Sequence, residues 1–98
     1  MIFSWFDASE AKQFGASLAQ FYIQRVPADA PMNDKKFSLK TKEVLEKMAL
    51  QVAQFKATTP LNTYKKAQLG NAFKWALRDG GYEPAYIDRL TEWLIARV

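Results

Sequence analysis

With no histidine and no cysteine in its 98 residues, this chain has only its carboxylates left for acid–base chemistry. Two pairs stand at helical spacing, Glu43 with Glu46 and Asp88 with Glu92, close enough on a helix face to share a cation. Di-metal helical bundles, however, draw inward carboxylates from several helices together with histidine, and that set is missing. The pairs therefore read as solvated acids, with Arg89 three positions before Glu92 as an ordinary surface partner worth about 0.2–0.5 kcal/mol. The missing histidine removes the usual general base near neutral pH, and the missing cysteine removes thiolate catalysis, sulfur metal sites and disulfides. A phosphate loop is absent as well, since Gly80-Gly81 leads into Tyr82-Glu83-Pro84 and sets an acid where a phosphate would bind. The expectation is a protein that is not an enzyme and uses no cofactor and no metal.

Residues suited to binding are more plentiful. Tyr64, Gln68, Asn71, Trp75 and Arg78 follow one another at spacings of four and three, so a helix through them carries all five on one ridge. Aromatics, amides and arginine are the types that protein interfaces favour, the rings for rigid area and the others for directional hydrogen bonds. The N-terminal aromatics Phe3, Trp5 and Phe6 form a second apolar patch, of which Phe3 and Trp5 join the candidate interface. Ile23, Leu39 and Leu50 fall off their helices' apolar stripes and leave further apolar surface, the usual mark of self-association or a partner groove.

Charge supports a different reading. Residues 34–66 hold eight lysines against three acids, a net +5 that accounts for more than the whole chain's +4. Lys35, Lys36, Lys40, Lys42, Lys65 and Lys66 could follow a phosphate backbone, with the ridge of Tyr64 to Arg78 stacking bases. Lysines without adjacent arginines are point charges that cannot read bases in a bidentate way, so this nucleic-acid reading is the alternative and protein contact comes first.

The elements that would position these residues are helices. Apolar residues recur at three and four in four windows: Ala11, Phe14, Leu18, Phe21 and Tyr22; Val44, Leu45, Met48, Val52 and Phe55; Leu69, Ala72, Phe73, Ala76 and Leu77; and Tyr86, Ile87, Leu90, Trp93, Leu94 and Val98. Asp7-Ala8-Ser9-Glu10 reads as a capping box with aspartate in place of serine, and Val26-Pro27 ends the first helix. Ser38 offers a cap for the second helix, after a long loop from Pro27 to Phe37. Thr59-Pro60 or Asn62 starts the third, Asp79-Gly80-Gly81 stops it, and Glu83-Pro84 begins the fourth, whose stripe is wide enough to predict burial over much of its circumference. Helices are expected over about 8–25, 39–56, 60–79 and 84–97, behind an apolar segment at 1–6.

This pattern predicts one all-α domain, a small four-helix bundle, up-and-down or irregular, with a long loop between the first two helices. The runner-up is a three-helix core crossed by the first helix. No apolar run approaches the length that spans a bilayer, and residues 1–7 lack the basic start and apolar core of a secretory signal, so a cytoplasmic protein is expected. The function expected is that of a non-catalytic binding or adaptor module acting on a protein partner or on itself as a homodimer.

Overall fold

The computed structural model describes residues 7–28 and 35–98, with side chains of the second stretch from Leu39 onward. Among the described residues the chain forms four helices, α1 (Ser9–Arg25), α2 (Lys35–Thr58), α3 (Thr63–Asp79) and α4 (Pro84–Ile95). They make a small all-α four-helix bundle.

Local chemistry sets the helix ends. At the start of α1, Asp7 Oδ1 accepts the Ser9 N–H at 3.1 Å, and the cap position falls on Ala8, which makes no side-chain bond. The expected capping box is thus replaced by an aspartate turn that reaches two residues on. The Lys35-Lys36 pair, expected in the loop, belongs to α2, which starts four residues ahead of the expected 39. No glycine or proline interrupts residues 35–58, so nothing obliges the helix to wait for Ser38. Asn62 is the cap of α3, its Oδ1 accepting the Lys65 N–H at 2.8 Å, and Pro60 lies outside that helix. The C-terminus of α3 closes through two reversed bonds, Gly81 N–H to the Arg78 carbonyl at 3.0 Å and Tyr82 N–H to the Leu77 carbonyl at 3.3 Å. Gly81 takes the left-handed conformation this closure needs, at φ 89°. Tyr82 is thereby turned inward, and Pro84 begins α4 with φ already set for a helix.

Contacts along the helices fix the topology. Gly15 of α1 sits on Leu69 and Phe73 of α3, and Ile23 lies beside Gly80, so these two helices run parallel. Gly70 meets Ile95 and Lys74 meets Asp88, so α3 and α4 run antiparallel. Phe14 stacks on Phe55 with ring centroids 4.2 Å apart, and Lys56 Nζ donates to the Arg97 carbonyl at 2.9 Å, bringing the ends of α2 and α4 together. The chain therefore runs up, down, up and down. Among the described residues, helices approach closely at α2–α1, α1–α3 and α3–α4, most tightly at α1–α3 and most sparsely at α2–α1.

The core is drawn from the expected stripes: Leu18, Tyr22, Met48, Val52, Leu69, Phe73, Leu77 and Leu94 are all fully buried, together with Ala19 and Val26. One expectation fails. The last helix buries a single face, Ile87, Leu90 and Leu94, while Asp88, Arg89, Glu92 and Ile95 are exposed. The reason is its place at the edge of the bundle, where α3 alone among the described helices approaches it closely. No helix among the described residues is long and apolar enough to cross a membrane.

Candidate protein-binding groove

The fourth seam, between α2 and α4, is open. Among the described residues no Cα of α2 comes within 8 Å of one in α4, although both helices turn apolar side chains toward each other. The space between them is a cleft of about 610 Å³. Leu45 and Ala49 line it from α2, and Tyr86, Leu90 and Trp93 from α4. A smaller hollow of about 320 Å³ continues it between Ala49, Val52, Ala53, Lys56 and Arg97, and the Lys56–Arg97 hydrogen bond pins that end. From Thr41 to Lys56 the groove follows about 22 Å of α2, at 1.5 Å per residue.

Its rim is basic. Lys42, Arg89 and Arg97 border the cleft against a single acid, Glu46, and all four are exposed. The Arg97 guanidinium lies 4.3 Å from the Trp93 ring centroid while its Nη1 donates to the Trp93 carbonyl at 3.0 Å, which ties the guanidinium to the indole. The Thr41 hydroxyl oxygen, at the opposite end from Lys56, is buried without a hydrogen-bond partner among the described residues.

Beneath the groove lies a cluster of three tyrosines, with ring centroids 5.7 to 6.2 Å apart. Tyr82 Oη donates to the Val26 carbonyl, and Tyr22 Oη is bonded to Tyr86 Oη. Tyr22 is wholly buried while Tyr86 stands on the groove wall, and either hydroxyl can donate in the bond between them. Burial pushes all three phenols above the usual value of 10.0, Tyr82 to about 12, and the bond with Tyr22 offsets part of the rise at Tyr86.

The ridge read from sequence is divided by the structure. Asn71, Trp75 and Arg78 form an exposed strip on α3, Trp75 being 58% exposed with the Arg78 guanidinium 5.2 Å from its ring. Tyr64 and Gln68, at the other end, are half-buried, and Tyr64 packs against the core. Phe3 and Trp5 lie outside the described residues. Leu39 and Leu50 stand out on α2, 65% and 61% exposed, whereas Ile23 is half-buried against Gly80.

The lysines fall into two groups. Lys40 and Lys42 are exposed near the start of α2, where Lys35 and Lys36 also lie in sequence, with side chains outside those described. Lys65 and Lys66 are half-buried at the start of α3, beyond the far end of α2. About 24 Å of helix separates Lys42 from Thr58, and Lys47 and Lys56 lie exposed between them on α2. Asp88 pairs with Lys74 at 3.6 Å, and among the described residues no group of three or more possible metal ligands gathers and no ion pair joins Arg89 to Glu92.

Sequence reasoning missed the groove because Leu45, Tyr86, Leu90 and Trp93 all lie on stripes that read as core. A signal was present in the flanks of those stripes. Arg89 on α4 and Arg97 just beyond its end sit among apolar residues, three after Tyr86 and four after Trp93, on a face that a closed core would not give to arginine. No protein-family model, no curated protein and no solved structure matches the chain.

Proposed function

We propose that this protein is a non-catalytic helical binding module that acts through protein contacts, with the α2–α4 groove as its receptor surface. One observation carries the reading: among the described residues α2 and α4 make no close backbone approach, and the space left between them has apolar walls. A bundle whose only task was to fold would bury Leu45, Ala49 and Trp93 by closing α2 onto α4, at about 25 cal/mol per Å² of apolar area removed from water. Leaving them apart keeps a seat for the apolar face of another chain, in the manner of helix-in-groove recognition. The exposed Asn71–Trp75–Arg78 strip supplies a second contact surface of the interface type. The alternative, binding of nucleic acid through the lysines, has less support, since lysines without adjacent arginines in sequence are point charges that cannot read bases in a bidentate way.

The test is to compare what co-purifies with the tagged full chain and with two variants. Ala49→Arg blocks the groove, and Gln54→Arg adds the same charge on the exposed opposite face of α2. Proteins held by the chain and by Gln54→Arg but lost on Ala49→Arg are the expected result. A set of proteins unchanged by Ala49→Arg overturns the reading, and nucleic acid that co-purifies and is released by salt would put the alternative in its place.

A further inference from the structure

Resting on the groove as a protein receptor, we infer the chemistry of its occupant: an amphipathic helix whose apolar stripe is flanked by aspartate or glutamate, carried by a different chain. Three features of the groove lead there. Its walls are two helices that already contact the rest of the bundle, so the vacancy has the shape of another helix, and about 22 Å of groove matches about four turns. A stripe at i, i+3, i+4 and i+7 would place side chains against Leu45, Ala49, Leu90 and Trp93.

The second feature is charge. Lys42 stands on one lip and Arg89 and Arg97 on the other, with Glu46 the single opposing group, and Lys56 lies at the pinned end. Three cations over an apolar floor attract and orient a carboxylate-bearing helix, and they repel a basic one. The same rim speaks against two copies pairing groove to groove about a twofold axis, because each lip would then face another set of cations in a chain of net charge +4. The third feature is the donor set. The Tyr86 hydroxyl stands on the groove wall, and the Arg89 guanidinium follows it by one turn. Both suit an acceptor-only group such as an ionised carboxylate.

A random 14-residue peptide library selected by display on the intact chain tests this, with binding sites mapped by amide NMR shifts. The expected winners carry apolar residues at helical spacing with acidic flanks. They shift signals of α2 and α4, bind about tenfold more weakly at 0.5 M than at 0.05 M salt, and lose to basic peptides when selection is repeated on Lys42→Glu/Arg89→Glu. Both substituted residues are exposed, and circular dichroism checks that the variant keeps its helices. Winners that are neutral or basic yet map to the groove overturn the acidic-partner inference and leave the receptor reading standing. Winners that map elsewhere, or a library that yields none, overturn both. Groove signals that shift with protein concentration alone would make a second copy the occupant and overturn the inference in that way.

Discussion

Tyr22 shows how one residue links the core to the surface. Its ring belongs to the α1 stripe and is fully buried, yet its hydroxyl reaches across the bundle to Tyr86 on the wall of the groove. A buried phenol resists ionisation, because the phenolate would sit away from water. The sign of the pH effect follows. Tyr82, Tyr86 and Tyr22 hold their protons more tightly when folded than at the unfolded value of 10.0, so the stability this contributes is complete below about pH 10. It is lost as pH rises toward the folded value, about 12 for Tyr82. Absorbance at 295 nm followed alongside circular dichroism should show most of the phenolate signal appearing well above pH 10, together with loss of helix. Titration of these phenols at their ordinary value with the helices intact would contradict the buried cluster. The carboxylates are a simpler case: the absence of histidine and cysteine limited the chemistry read from the sequence, and Asp88 pairs with Lys74 on the surface.

Helix crossings were harder to read from sequence than helices. The stripes of α1, α2 and α3 could be read because their apolar residues repeat at three and four, and the Gly80-Gly81 stop because a left-handed residue must close the helix. Gly15 gave no such signal. A lone glycine inside a helix reads as a weakness, but here a Cβ at that position would lie 2.3 Å from the Leu69 carbonyl oxygen and 3.3 Å from the Phe73 nitrogen. Both neighbours are backbone and cannot turn aside. Gly15→Ala should therefore push α1 off α3 and cost about 1–3 kcal/mol despite the better helix propensity of alanine. Thermal unfolding followed by circular dichroism measures it, and about 1 kcal/mol corresponds to roughly 4–8 °C in a domain of this size. An alanine variant that melts at or above the temperature of the original would show that the crossing is looser than described. The early start of α2 was also hidden, since lysines at a helix N-terminus oppose the dipole and gave no cue to begin there. On α4 the width of the apolar stripe was visible, but whether Tyr86 and Trp93 face a neighbour or a gap depends on where α2 stands, which no local pattern records.

Taken as a whole, the molecule is an elongated body of 49 × 24 × 19 Å in which the helices pack in the order α2, α1, α3, α4, and the ring they begin is not completed. That arrangement explains why the surplus apolar surface at Leu39 and Leu50 was legible in the sequence while the groove was not. Leu39, Leu50 and Trp75 are exposed one by one, whereas Leu45, Leu90 and Trp93 gather in the groove. The central claim is that a protein occupies this groove, and site-specific photo-crosslinking in the cells that make the protein tests it most directly. A benzophenone amino acid replaces Glu46 on the exposed rim, and a second chain carries it at Gln54 as the control. The account predicts a discrete protein adduct from position 46 that is absent from position 54. No adduct at 46, or equal adducts at both positions, would contradict it.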